Sequence, residues 1–398
     1  MPKKIIDLIR LAFPLSDEKK KLIFSLEELI SKQDLKDVVS LCKQKKCDVE
    51  LINLNVSPQL MPDRSFPKII IKTEEEEPVK FLTMLNSNID KKIKDQAFHK
   101  FSEFAAEKIP KFIAMNIVGM DEIKKAAALQ LFATPLEPIH ILLLGDPGTG
   151  KTDILRSSSN LHPISSIGLG SGTTGVGLTV TIKGETVAKG LLPLADKGLC
   201  AVDELNLMQE KDRASLYNAM EKGFISYDKG GKHYKFDARV SVIATANPKG
   251  DRFVGWTLDT LKKQLPFDSA LLTRFHLVFL VRKPDIEQFV EISKKILRND
   301  KQKTTKGDEQ FIKDYIEYAE KIDVKIPKHL EKQIVDIIAE IKKNEKKYLI
   351  DISPRIVLGF VRLAKASARM HLCESVEQAD VDLVKEIVLH GLKVNRNI

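Results

Sequence analysis

Residues 139–152 read "IHILLLGDPGTGKT": an apolar run, a glycine-rich loop, then Lys and Thr opening a helical stretch. The loop "GDPGTGKT" fits the pattern G-x-x-x-x-G-K-T in the strand-to-helix setting that the pattern requires. Gly145, Gly148 and Gly150 let successive backbone amides turn inward around phosphate oxygens, and Asp146, Pro147 and Thr149 complete the loop. Lys151 places a point charge at the terminal phosphates of ATP, and Thr152 offers a hydroxyl to Mg2+. A glycine-rich turn that merely opens a helix is disfavoured, because strand, loop, Lys and Thr all coincide.

Working outward, apolar runs at 198–203, 239–246 and 276–281 follow the one at 139–144 and alternate with helical stretches. Runs of this kind suit a parallel sheet with helices on both faces, so the fold class is α/β. The second run ends "LCAVDELN", about fifty residues after the phosphate loop, which sets Asp203 and Glu204 at the carboxyl edge of the sheet. Asp203 is placed to hold Mg2+ through water and Glu204 to act as general base on the attacking water. The third run, "VSVIATANP", ends in Asn247, which can orient that water or simply start the turn that Pro248 continues. Arg274 in "LLTRFHLVFLV" and Arg355 in "DISPRIVLGFVRL" complete the set: each alone can be a surface ion-pair partner, and together with the other residues they can stabilise transition-state charge. His140 and His276 have packing roles, and His233 falls in a basic turn.

Before this domain the pattern differs. Residues 1 to about 46 alternate apolar and charged positions at helical spacing, and "DEKKKLIFSLEELISKQ" is expected to be a helix. "DVELINLNV" and "FPKIIIKT" read as strands, "EEEE" at 74–77 as a solvated turn or linker, and about 87–108 as a helix leading to Pro110. After Pro284 the chain reads as helical, near 308–322, 327–347, 353–371 and 377–393. The expected organisation is a small α+β module at 1–109, an α/β ATPase core at 110–284 and a helical lid at 285–398.

The 398 residues are 43% hydrophobic and 30% charged, with a net charge of +9 that is compatible with a polyanionic partner. No segment has the uninterrupted apolar length of a membrane span, and the N-terminus lacks the features of a secretory signal, so an intracellular protein is expected, in the nucleoid or the nucleus according to host. Cys42, Cys47, Cys200 and Cys373 are spread too far for a disulfide framework or a zinc site and are read as free thiols. At 6% aromatics, any nucleic acid is expected to be held mainly by charge.

Taken in order, "GDPGTGKT", "GVGLTV", "LADKGLCAVDELNLMQEKDRASLYNAMEKGFIS", "DARVSVIATANPKGDRF", "LLTRFHLVFLV" and "SPRIVLGFVRLAKASARMHL" resemble the AAA+ domain of the minichromosome maintenance (MCM) family of replicative helicases, over about 110–395. The resemblance implies a ring, hexameric in the family manner, with ATP bound between neighbouring subunits. Lys151, Thr152, Asp203, Glu204 and Asn247 act from one subunit, while Arg274 as arginine finger and Arg355 as second sensor reach in from the next. It further implies that "GLTVTIKGETVAKG" is the helix-2 insert hairpin, and that "SYDKGGKHYK" is the pre-sensor-1 hairpin, with Lys229 on the family's DNA-contacting lysine. Lys232 lies across the same turn. Gly230 and Gly231 can both take positive φ, as a two-residue type I′ turn requires. DNA, single-stranded or forked, is the implied partner, together with further copies of the chain and possible replication factors.

The sequence also departs from that family. About 110 residues precede the ATPase region, without the paired C-x-x-C motifs of the usual zinc module, and no room for a winged helix is expected after the lid. His276 stands where the family's finger motif has an acid, and Gly150 and Thr152 stand where Ala and Ser are common. Two other readings stay open. One is a polypeptide-remodelling ATPase of the MoxR or magnesium-chelatase kind, and the other is an MCM relative that binds DNA or joins rings of a larger homologue as an accessory.

Overall fold

The computed structural model describes residues 21–25, 48–54, 66–72, 95, 97–172, 175–183, 186–229, 232–298 and 306–393. The chain divides into two compact units, residues 1–104 with 305–311 and residues 105–304 with 312–398.

The first unit contains an antiparallel sheet of β1 (Lys21–Ser25), β2 (Asp48–Leu54) and β3 (Phe66–Lys72), in the order β1-β3-β2. β2 and β3 are the two strands expected from sequence. β1 is a correction, because "KLIFS" lies inside the stretch read as a helix and instead pairs with β3 from Lys21 opposite Lys72 to Ser25 opposite Lys68. A central strand leaves backbone donors and acceptors along both edges, and β1 satisfies the edge that β2 leaves open. The rest of the helical expectation over 1–46, and the acidic run at 74–77, lie outside the described residues. Residues 97–102 of this unit are helical, and the second unit opens with α1 (Ala105–Phe112). Pro110 thus sits inside a helix and not at its end. Its missing N–H forfeits one hydrogen bond, and the helix stops two residues later.

The second unit is built on five parallel strands. In chain order it runs α2 (Asp121–Gln130), β4 (His140–Gly145), α3 (Lys151–Leu161), β5 (Ser165–Leu169), β6 (Val180–Lys183), β7 (Thr186–Lys189), β8 (Leu199–Asp203), α4 (Glu210–Lys222), β9 (Phe224–Lys229), β10 (Lys232–Asp237), β11 (Ser241–Ala246) and β12 (Leu277–Val281), with further short helical turns between them. The sheet order is β12-β4-β11-β8-β5, so β4 lies between two strands that come later in the chain. The phrase "HILLLG" is wholly buried, as a strand covered on both faces must be. β4, β8, β11 and β12 are the four strands read from sequence. β5 is an addition: its "SSIGL" has no apolar run, and as an edge strand it leaves Ile167 and Leu169 about half exposed.

β6 pairs with β7 from Val180 opposite Lys189 to Lys183 opposite Thr186, and β9 pairs with β10 from Phe224 opposite Asp237 to Lys229 opposite Lys232. Both hairpins are where the sequence placed them. The Gly230–Gly231 turn lies outside the described residues.

After β12 the chain continues in helices: α5 (Ile286–Arg298), α6 (Lys306–Ala319), α7 (Lys328–Lys343), α8 (Arg355–Met370) and α9 (Gln378–Leu392). α8 lies along the segment that leads into β4. Arg362 donates to the Pro138 carbonyl at 2.7 Å, Arg369 to the Phe132 carbonyl at 2.8 Å, and Lys365 pairs with Glu137 at 2.5 Å. Gly359 permits the close approach, since a Cβ there would stand 2.9 Å from the Cβ of His276. His276 in turn stacks on His140 with ring centres 5.0 Å apart and accepts the His140 N–H at Nδ1. Burial drives both imidazoles well below the ordinary histidine range, His140 to about 3. The histidine standing in place of an acid is therefore a packing element between core and lid.

Candidate nucleotide site and arginine cluster

Loop 145–150 sits at the carboxyl end of β4, where the chain leaves for β5 at the far edge of the sheet while β12 closes the other side. This is a topological switch point, the place at which open parallel sheets bind ligands. Gly148 and Gly150 have φ of 75° and 85°, so the loop takes the left-handed turns that aim backbone amides inward. At Gly150 a second constraint operates, because an added Cβ would lie 2.9 Å from Ile117 Cδ1. The atom met is the tip of a flexible side chain, so the positive φ is the stronger reason for glycine here.

Asp146 fastens the loop to its surroundings: its carboxylate accepts the Phe253 N–H at 2.8 Å and the Lys283 N–H at 3.0 Å. Lys151 folds over the loop and donates to the Gly145 and Asp146 carbonyls at 2.8 and 2.6 Å. Burial lowers its pKa to about 8, against the opposing pull of Asp146 and Asp203.

Thr152 donates to Asp203 Oδ1 at 3.0 Å, bringing a hydroxyl and a carboxylate oxygen together beside the loop. Such an all-oxygen pair suits a magnesium ion that keeps most of its waters, so the residues present fit a magnesium-bound nucleotide. Glu204 follows with left-handed backbone, φ 54° and ψ 45°. Two residues that the sequence reading passed over hold that geometry. Thr245 donates to Asp203 Oδ1 at 2.5 Å while accepting the Glu204 N–H at 2.9 Å. Gly170 donates its N–H to the Asp203 carbonyl at 2.6 Å, and any side chain there would collide with the Glu204 carbonyl. Asn247 begins just beyond β11, and its N–H is fixed by Asn206 Oδ1 at 2.9 Å.

Lys151, Thr152, Asp203, Glu204 and Asn247 therefore share the carboxyl edge of the sheet. Arg274 does not join them. It precedes β12, which runs parallel to β4 with Leu277 opposite Ile141, and so lies at the amino edge, one strand length from the loop. Five or six residues at about 3.3 Å each make that roughly 17–20 Å. Arg355, first residue of α8, meets Arg274 there: both guanidinium groups bind Glu221, at 3.1 Å from Arg274 and 2.8 Å from Arg355. Lys229 and Lys232 close the described part of the basic hairpin as opposed residues.

A phosphate loop at the switch point of a five-stranded parallel sheet, with a helical lid packed behind it, defines a P-loop nucleotide-binding domain of the AAA+ class. Within that class the MCM P-loop domain model matches residues 94–300, and the MCM AAA-lid domain model matches 310–392. The chain is 33% identical to the minichromosome maintenance protein MCM of Saccharolobus solfataricus over 75% of this chain and 46% of that protein. It is 31% identical to the DNA replication licensing factor MCM7 of Arabidopsis thaliana over 69% of this chain and 42% of that one, and 32% identical to MCM4 of the same plant over 74% and 38%. The chain belongs to the MCM family, and it spans less than half the length of these relatives.

Proposed function

We propose that the protein is a DNA-stimulated ATPase that works as a ring, probing DNA with basic hairpins moved by hydrolysis. The observation that carries this reading is the separation of the two halves of the site. Lys151 and the acidic strand occupy the carboxyl edge, while Arg274 and Arg355 occupy the amino edge with Glu221, beyond reach of their own phosphate loop. A complete hydrolytic set then requires a second copy.

In this reading Lys151 and the loop amides bind the terminal phosphates of ATP, and Thr152 and Asp203 hold Mg2+. The ion, when bound, would offset the charge of the phosphates. Glu204 takes the proton from the attacking water and Asn247 orients that water. The partner subunit's Arg274 and the partner subunit's Arg355 neutralise charge that builds up on the transferred phosphoryl group. Lys229 and Lys232 contact the DNA backbone. Membership of a family whose relatives include DNA replication licensing factors supports DNA over polypeptide as the polymer moved.

The test mixes two inactive variants. Arg274→Ala and Lys151→Ala are each expected to lose turnover, and their mixture to regain part of it, because some interfaces then pair an intact loop with intact arginines. A mixture as inactive as its components would show that the site is not shared. Forked-duplex unwinding by the unaltered chain, with ATP, tests the motor itself.

A further inference from the structure

The two arginines that lie away from the phosphate loop are held by a single carboxylate. Glu221 Oε2 accepts from Arg274 Nη2 at 3.1 Å, and Glu221 Oε1 accepts from Arg355 Nη2 at 2.8 Å. One arginine belongs to the core and the other to the lid, 81 positions later in the chain. α4 supplies a second support, since Tyr217, one turn before Glu221 on the same face, lies under the Arg274 guanidinium with its ring centre 4.8 Å away. The Ala270 carbonyl accepts a further hydrogen bond from Arg274 Nη1.

Stability does not explain this arrangement. Side-chain exposures of 43% for Glu221, 21% for Arg274 and 33% for Arg355 are those of a surface pair, which contributes only about 0–1 kcal/mol. Charge and geometry explain it better. Two neighbouring guanidinium groups repel, and one shared carboxylate brings them together while leaving the cluster a net single positive charge. Arg274 Nε is buried and has no hydrogen-bond partner among the described residues. Desolvation works against the charged form of Glu221, yet Arg355 and Arg274 outweigh it and hold its carboxyl below the usual range.

We propose that Glu221 is a positioning residue, presenting Arg274 and Arg355 as one unit to the nucleotide phosphates of a neighbouring subunit. Glu221 touches no reacting atom and acts through the arginines. Its place in the chain gives this a further meaning. α4 ends at Gly223, with φ 70°, and the next residue starts β9 of the basic hairpin, whose other strand leads on to β11 and Asn247. The hairpin is thus joined at one end to the arginine cluster and at the other to the subunit's own phosphate site.

The proposal rests on the shared-site reading, and its experiment separates the two. Glu221→Gln, in the full chain, removes the charge at constant shape. Expected is a fall in kcat of roughly tenfold or more, with the KM for ATP changed much less, as for loss of transition-state contacts. Glu221→Asp, which keeps the charge, is expected to restore part of the rate. The decisive arm mixes Glu221→Gln with Lys151→Ala. Turnover should return as it does for Arg274→Ala with Lys151→Ala, because Glu221 is needed only in the subunit that supplies arginines. Unchanged kcat in Glu221→Gln overturns the proposal alone, as does a defect that Lys151→Ala subunits fail to rescue while they rescue Arg274→Ala. Failure to rescue Arg274→Ala overturns the shared site and this proposal together.

Discussion

Thr245 shows how one hydroxyl can set two acids. It donates to Asp203 Oδ1 and accepts the Glu204 N–H, and Asp203 Oδ1 also receives Thr152. Thr245→Val keeps the shape and β-propensity of the strand but removes both bonds. A hydrogen bond to a charged group contributes about 1.5–3 kcal/mol, so turnover should fall by roughly 10- to 150-fold while nucleotide binding through Lys151 persists. Steady-state rates set beside nucleotide titration would check this, and an unchanged rate would refute it. Lys151, Thr152, Asp203 and Glu204 were legible in the sequence because each sits inside a contiguous motif. Thr245 was not, since its importance depends on β11 lying beside β8, a juxtaposition that no local pattern announces. Glu221 was hidden for the same reason, since its two arginine partners lie 53 and 134 positions further along the chain. Gly359 is a third case: Gly359→Ala would push a Cβ to 2.9 Å from His276. Overpacking of this kind costs about 1–3 kcal/mol, which denaturant unfolding can measure as an earlier transition.

Elements with strong periodicity, such as the lid helices, were found within a few residues of their expected bounds, and buried parallel strands stood out as apolar runs. β5 and β1 did not. The first is a half-exposed edge strand without an apolar run, and the second takes its conformation from a partner more than forty residues away. The basic hairpin was legible by its glycines and lysines, and its strands are paired up to Lys229 opposite Lys232. With Lys229 on the DNA backbone, Lys229→Ala should weaken binding alike across sequences and reduce the salt slope of the affinity by roughly one unit. Equal affinity and equal slope would remove Lys229 from the interface. At the turn between α8 and α9, His371 Nδ1 lies 3.7 Å from Asp380 Oδ1, and this carboxylate raises the histidine pKa above 6.5 despite burial. A group whose pKa is raised on folding contributes fully below its unfolded value, and the contribution fades as pH rises through the folded value. His371→Asn should therefore lower the thermal midpoint most at acid pH, with the gap to the unaltered chain narrowing above pH 6.5.

Across the whole molecule, the phosphate loop and acids lie at one edge of the sheet and the arginines with Glu221 at the other, and in the proposed shared site these are two different halves. Faces of that sort join head to tail, and a head-to-tail contact either closes into a ring or runs on as a filament. Phosphate bound at one face adds negative charge opposite a cluster that carries surplus positive charge, so nucleotide should strengthen the contact. Glu204→Gln offers the cleanest test, because ATP would bind and not be consumed. Sedimentation with ATP should show that variant at the mass of a closed assembly, with six copies of a 44.8 kDa chain as the expected number. Adding Arg274→Ala and Arg355→Ala to the same chain should lower the assembled fraction at equal nucleotide occupancy. Were the Glu204→Gln chain to sediment as a monomer with saturating ATP while the unaltered monomer hydrolysed at full rate, the arginines would have no role in a neighbour's site, and their pairing with Glu221 would be a surface contact only.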